Sequence, residues 1–273
     1  MNVTAESEWV NVLGVGVDPI DMDEATTILA TQIKEEKKGY VCLAGVHGIM
    51  EAQRDPALLS IFADALLVAP DGMPTVWLGW AQGFSRMKRV FGPDLMIEIF
   101  AREEFRECTH FLCGGEPGVA ERLREEMLRR FPCARIAGIY SPPFRKMTAE
   151  EERELAATVR SVQPDIIWVG ISTPKQERFM ARYLPMLDTK LMIGVGAAFL
   201  YHTGIIRDSP EWVKRAGMQW LHRLLQEPGR LWKRYLMNNP RFVLCAFLQL
   251  LGVKKYTLRP RQDLPQAYTY EGR

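Results

Sequence analysis

The chain has 273 residues, of which 47% are hydrophobic and 25% are charged, with a formal net charge of +2. These proportions are those of an ordinary globular protein, and the length suits one large domain or one domain with an appendage. The first residues lack a basic segment followed by an apolar one, so no secretory signal is expected and a cytoplasmic protein is predicted.

Short apolar runs alternate with helical patterns along the chain. The runs predicted as strands are residues 12–17, 40–44, 65–69, 110–113, 135–140, 165–170 and 190–195. The predicted helices are residues 23–36, 47–63, 75–82, 94–105, 117–131, 148–162 and 174–187. Nearly continuous apolar strands favour a parallel sheet covered on both faces. The alternation therefore predicts an α/β, Rossmann-like fold with a largely parallel sheet flanked by helices and right-handed crossovers.

Ligands of such sheets bind beyond the carboxyl ends of the strands, so the strand-to-helix turns are the expected places for a site. Asp71 follows a strand at once, and Gly72 is expected to permit the sharp turn into the next helix, although Asp-Gly is also a common turn dipeptide. Gly114 and Gly115 open another turn, which is either a cradle for an anion or a tight turn that packs helix on sheet.

Two further turns carry polar side chains. Ser172 or Thr173 is a candidate helix cap, and Gln176 and Glu177 fall in the first turn of the helix that follows, at the ligand edge of the sheet. Thr173, Gln176 and Glu177 are therefore predicted to bind substrate. Arg89 belongs to a basic pair that leads through Gly92-Pro93 into another helix. Each of these signals is weak when taken alone.

The strand–helix pattern ends near Pro210. Between residues 212 and 256 nine Lys or Arg accompany a single acid, Glu227, which gives this stretch +8 and leaves −6 for the rest of the chain. Aromatic residues are interleaved, and an apolar run too short to span a bilayer follows from Phe242 to Val253. The pattern is typical of a surface that meets a membrane, with packing on a core and nucleic acid as alternatives. The predicted division is a core of residues 1–210, a basic, Trp-rich, amphipathic helical appendage of residues 211–256, and a loose polar tail of residues 257–273.

Seven segments in this order resemble the WecG/TagA/CpsF family of bacterial glycosyltransferases (glycosyltransferase family 26), from about Val12 to Phe242. They are VLGVGVDPIDMDEA, ADALLVAPDGMPTVW, KRVFGPDLM, FLCGGEPGVAERL, PDIIWVGISTPKQERF, GVGAAF and WLHRLLQEPGRLWKRYLMNNPRF. The resemblance implies transfer of an N-acetylmannosamine-type sugar or a hexose from a UDP-sugar to a polyprenyl-diphosphate-linked sugar. It also implies a basic C-terminal appendage that docks on the membrane.

The resemblance assigns roles to individual residues. Asp71 matches the family's proposed catalytic base, and Arg89 and Gln176 match positions of its active-site pocket. The chain departs from the family where a Thr-x-Asn usually follows the second strand, because Leu43-Ala44-Gly45 stands there. The amide is missing, and His47 or a water is a candidate to take over part of its role.

Inverting transfer needs a base for the acceptor hydroxyl and a cation for the leaving diphosphate. Asp21-Met22-Asp23 fits the Asp-x-Asp pattern of metal-dependent enzymes, but it precedes a predicted helix and is better interpreted as a cap. No metal site and no cofactor are therefore expected. The expected cations are Arg89 together with the appendage arginines, which are Arg215, Arg223 and Arg230.

The sequence thus predicts a cytoplasmic inverting glycosyltransferase, peripheral on the inner face of the cell membrane, for surface polysaccharide or cell-wall polymer synthesis. Its predicted partners are the nucleotide-sugar, the lipid-linked acceptor and an anionic membrane surface; a homo-oligomer stays open, and nucleic acid is not expected. A nucleotide-dependent oxidoreductase is disfavoured because no GxGxxG opens a helix. A non-enzymatic membrane or nucleic-acid binding module would leave the turn motifs of the acidic core unexplained.

Overall fold

A computed structural model describes residues 9–259 of the chain. The strands are β1 Val10–Val12, β2 Val15–Val17, β3 Gly39–Ala44, β4 Leu67–Pro70, β5 Thr109–Gly114, β6 Arg135–Tyr140, β7 Ile166–Gly170 and β8 Leu191–Gly194. The α-helices are α1 Met22–Lys34, α2 Val46–Ala52, α3 Pro56–Ala63, α4 Met73–Ala81, α5 Gly92–Ala101, α6 Val119–Arg130, α7 Ala149–Val162, α8 Lys175–Tyr183, α9 Ala198–His202, α10 Glu211–Arg215, α11 Gln219–Gln226 and α12 Pro228–Leu250.

Six strands form a parallel sheet in the order β4-β3-β8-β7-β5-β6. All residues of β3, β4 and β8 are buried, which is why these strands read as unbroken apolar runs in the sequence. The α/β prediction, with a largely parallel sheet flanked by helices and a helical C-terminal appendage, is confirmed.

Several predicted elements are wrong in detail. The predicted helix 94–105 is interrupted at Arg102, whose ψ of 140° is extended, and a short 3-10 helix follows at Glu103–Phe105. Residues 12–17 do not form one strand, because β1 and β2 pair as an antiparallel hairpin. Its turn residues, Leu13 and Gly14, both have positive φ, at 52° and 85°, as the tight primed hairpin turns require. The predicted helix 47–63 is split into α2 and α3 at Asp55, whose side chain accepts a hydrogen bond from the Ala57 N–H and caps α3.

The described residues divide into two compact units. The first unit contains residues 9–22, 43–90 and 209–259, and the second contains residues 23–42 and 91–208. The predicted boundaries at residues 210 and 256 stay predictions, and the end of the predicted tail, residues 260–273, lies outside the described part of the chain.

Within the first unit, α12 packs against α2 and its Leu231 and Phe242 are buried. Gln249 of α12 binds the hairpin with both ends of its amide. Its Oε1 accepts from the Leu13 N–H at 3.1 Å, and its Nε2 donates to the Asn11 carbonyl at 2.7 Å. The appendage is therefore bonded to the first residues that the structure describes.

The second unit is built on β5 to β8, with Trp168 and Phe111 among its fully buried side chains. The Trp168 indole donates to Nδ1 of His110 at 3.2 Å, and burial lowers the pKa of His110 to about 4. This imidazole is consequently neutral at physiological pH and part of the core.

Candidate active site

Asp71 lies between the end of β4 at Pro70 and the start of α4 at Met73. The N-cap of α4 is Gly72, in an extended conformation. The Asp71 N–H and the Thr75 hydroxyl both donate to the Ala44 carbonyl, at 3.4 and 3.2 Å. These bonds hold the Asp71 turn against the carboxyl end of β3, where a ligand of a parallel sheet is expected.

Gly45 and Gly72 both lie near Asp71, but neither has a backbone conformation that requires glycine. Gly72 has φ −124° and Gly45 has φ −93°, values that any residue adopts, so the expectation that Gly72 permits a sharp turn is wrong. A Cβ added at Gly72 would meet Pro74 at an ordinary 3.6 Å, and one at Gly45 would lie 3.3 Å from Asp71 Oδ2. A side chain at position 45 would therefore crowd Oδ2 of Asp71.

Gly45→Ala is expected to lower turnover several-fold, because the new methyl group would push the Asp71 carboxylate aside by a few tenths of an ångström. The measurement is kcat together with the midpoint of urea unfolding. Gly229→Ala is the matched control, since a Cβ there meets no atom within 4 Å. Unchanged kcat in folded Gly45→Ala protein would show that the position of this carboxylate does not matter.

Arg89 belongs to a segment that is bonded to the Asp71 turn. The Val90 N–H donates to the Pro70 carbonyl at 2.8 Å, so the residues next to Arg89 and Asp71 are paired. The half-buried Arg89 guanidinium donates from Nη1 to Oε1 of Gln219 at 2.9 Å. We call Gly45, Asp71, Arg89 and Gln219 the Asp71 site.

His47 is bonded to the appendage. Its Nδ1 lies 3.1 Å from the amide nitrogen of Asn238, and Asn238 Oδ1 accepts from Arg54 at 3.3 Å. Asn238 is a buried polar residue of α12, 3% exposed. His47 thus helps to hold α12 against α2, and its role as a substitute for the missing family amide stays a prediction.

The appendage arginines occupy different environments. Arg215 is exposed at the end of α10. Arg223 and Arg230 share one carboxylate, since Glu227 lies 3.3 Å from the Arg223 Nε and 2.6 Å from the Arg230 Nη2. Their predicted contribution to substrate binding stays a prediction.

In the second unit, the predicted residues after β7 form one hydrogen-bonded cluster. Thr173 Oγ1 and Gln176 Nε2 donate to Glu177 Oε1 at 2.8 and 3.3 Å. Gln176 Oε1 accepts from the Gly196 N–H, after β8, at 3.0 Å. Both Gln176 and Glu177 are at least 98% buried. The cluster therefore fixes the loops that follow β7 and β8, and direct substrate contact by its side chains stays a prediction.

Both packing and backbone conformation require glycine at positions 114 and 115. Their φ values are 148° and 78°. A Cβ at Gly114 would lie 2.6 Å from the Gly170 carbonyl oxygen, and one at Gly115 would lie 2.8 Å from Cβ of Val119. The tight-turn alternative thus accounts for both glycines, while a role in binding an anion stays a prediction.

Both carboxylates of the Asp-x-Asp pattern form ion pairs with basic side chains. Helix α1 begins at Met22, Asp21 pairs with Lys88 at 3.0 Å, and Asp23 pairs with Arg102. Within residues 9–259 no group of three or more His, Cys, Asp or Glu is arranged to hold a metal ion.

Known proteins resemble this chain over most of its length. The model of the Glycosyl transferase WecG/TagA/CpsF family matches residues 10–256. An N-acetylglucosaminyldiphosphoundecaprenol N-acetyl-beta-D-mannosaminyltransferase of Bacillus spizizenii is 26% identical over 213 residues, which cover 78% of this chain and 80% of that protein. A protein of the same name from Bacillus subtilis is 24% identical over 212 residues, with the same coverage.

Proposed function

This chain belongs to the Glycosyl transferase WecG/TagA/CpsF family, and on that premise we propose that it transfers a sugar, with inversion, from a UDP-sugar to a polyprenyl-diphosphate-linked sugar. An N-acetylmannosamine-type sugar or a hexose is the proposed donor group. The names of the two Bacillus relatives, both of which specify a diphosphoundecaprenol-linked acceptor, support the acceptor class. The product would serve surface polysaccharide or cell-wall polymer synthesis.

The observation that carries this proposal is the environment of Asp71. A half-buried carboxylate follows β4 directly, its backbone N–H is bonded to the carboxyl end of β3, and a Cβ at Gly45 would lie 3.3 Å from its Oδ2. In the proposed reaction Asp71 accepts the proton of the acceptor hydroxyl as that oxygen attacks the sugar carbon of the donor. The nucleoside diphosphate leaves from the opposite face of the sugar.

The leaving diphosphate needs positive charge, which we assign to arginine and not to a metal ion. Arg89 is bonded beside the Asp71 turn through Val90 and Pro70. The ion pairs of Asp21 with Lys88 and of Asp23 with Arg102 support the assignment, because they occupy the carboxylates that would otherwise be metal ligands. Arg215, Arg223 and Arg230 are proposed as additional cations from the appendage.

A panel of UDP-sugars incubated with a polyprenyl-diphosphate-linked acceptor tests the proposal. We expect product with one donor of the panel, little change in rate on addition of EDTA, and a rate at low donor concentration that falls by about tenfold or more in Arg89→Ala. Loss of activity in EDTA with recovery in Mg²⁺ or Mn²⁺ would return Asp21 and Asp23 to the role of metal ligands. No transfer from any UDP-sugar would contradict the donor class.

We also propose that the protein docks on the anionic inner face of the cell membrane through α12. No helix of residues 9–259 is long and apolar enough to cross a bilayer. One side of α12 nevertheless exposes large apolar side chains, at Leu236, Met237, Val243, Leu244, Phe247 and Leu250. These lie in the stretch of the chain that carries +8, a combination that favours an anionic interface with an apolar interior. A lipid-linked acceptor would be met at the same surface.

A further inference from the structure

Gln219 is the first residue of α11 and contacts a residue of the proposed catalytic machinery. It is separated from Arg89 by 130 positions in the chain, and its amide oxygen accepts the Arg89 Nη1–H at 2.9 Å. Both side chains are half-buried. Within the first unit, the bond therefore joins the appendage to Arg89, the residue proposed to bind the diphosphate.

The loop before Gln219 is fitted against the helix that follows Asp71. Gly217 has φ 67°, in the left-handed region that favours glycine. A Cβ at this position would lie 2.6 Å from the Trp77 ring and 3.3 Å from Cβ of Met73, the first residue of α4. The close approach of Gly217 to Met73 and Trp77 places this loop on the first turns of α4, two residues before Gln219.

The chemistry of the pair suits the positioning of a cation. A guanidinium has five N–H donors in a rigid plane, so a bond to one of them orients the whole group. An amide oxygen is neutral, so Gln219 itself cancels none of the positive charge. By contrast, Glu227 brings a negative charge to Arg223 and Arg230.

We propose that Gln219 is a positioning residue, which holds the Arg89 guanidinium in the orientation that receives the leaving diphosphate. The inference rests on the proposed function, because it needs Arg89 to bind the donor. The appendage then contributes to catalysis in two ways, by meeting the membrane and by fixing an arginine of the Asp71 site.

A double-mutant cycle tests the inference, with the dissociation constant of UDP measured by calorimetry on the full chain. We expect Gln219→Ala to weaken UDP binding by about fivefold to tenfold, and Arg89→Ala by at least as much. In the Arg89→Ala background, Gln219→Ala should add less than about a twofold effect, because its partner is gone. Gln226→Ala, on the same helix, is the matched control and should leave UDP binding unchanged.

Gln219→Glu separates positioning from mere packing. A carboxylate at this position would keep the contact while cancelling the charge of Arg89, so UDP binding should weaken although the unfolding midpoint is retained. Full additivity of Gln219→Ala and Arg89→Ala, or wild-type UDP affinity in Gln219→Glu, would overturn the role of Gln219. Wild-type affinity in Arg89→Ala would instead contradict the proposed function of Arg89.

Discussion

Asp71→Asn is expected to reduce turnover by about 10² or more while UDP binding and the unfolding midpoint stay close to those of the parent protein. The asparagine amide has the shape of the carboxylate but cannot accept the proton of the acceptor hydroxyl. The fold should tolerate the change because asparagine keeps the shape of aspartate and the bond to the Ala44 carbonyl is made by the Asp71 backbone. The measurements are single-turnover transfer from the UDP-sugar, UDP calorimetry and thermal unfolding.

Asp64→Asn is the matched control for this experiment. Asp64 is an exposed residue at the end of α3, a few residues before β4. Its replacement should leave turnover unchanged. Near-normal turnover of correctly folded Asp71→Asn protein would show that Asp71 only shapes the turn and would contradict its role as the base.

The second large effect is expected at the membrane. Simultaneous replacement of Leu244, Phe247 and Leu251 by serine should weaken binding to anionic vesicles by about 10²-fold or more, since each large apolar side chain contributes about 1.5–3 kcal/mol when fully buried. The three side chains are 57–59% exposed, so serine removes little packing within the protein. Turnover should fall with an acceptor embedded in vesicles and persist with a water-soluble acceptor. Vesicle sedimentation and parallel assays with the two acceptors provide the measurement.

Substitution is a sharper test than deletion of the appendage, because Leu231, Asn238 and Phe242 are buried within the first unit. The control replaces three exposed apolar residues of the second unit by serine, at Phe144, Met186 and Ile205. It should bind vesicles as the parent does. Undiminished vesicle binding by the α12 variant at low salt would contradict membrane docking through this helix.

Much of the fold could be predicted from the sequence, because strands buried on both faces must be apolar throughout. β3 and β8 are examples, and their bounds match the predicted runs to within one or two residues. The hairpin of β1 and β2 could not be predicted in the same way, since its turn, Leu13-Gly14, interrupts the apolar run by only one small residue. The break at Asp55, by contrast, has a cap and a following proline that the sequence already displays.

The site was less accessible to sequence reasoning. The place of Asp71 at the edge of the sheet could be predicted, because a carboxylate directly after a buried strand has a defined place in a parallel sheet, whereas its role as the base stays a prediction. Gln219 could not, since one amide on an amphipathic helix gives no local signal and its partner lies 130 positions away. The pairing of Glu227 with Arg223 could have been predicted, because residues four apart on a helix face one another.

The hydrogen bonds between Gln249 and the β1–β2 hairpin have a consequence for biosynthesis. The two hydrogen-bonded partners Asn11 and Gln249 are 238 positions apart, so Asn11 leaves the ribosome long before Gln249 is made. Contacts of such high sequence separation form late, and a domain whose partners are still unmade keeps apolar surface exposed while translation continues. Nascent chains that stall before α12 is complete are therefore expected to need chaperones, and the first unit matures only once the segment proposed to face the lipid has been translated.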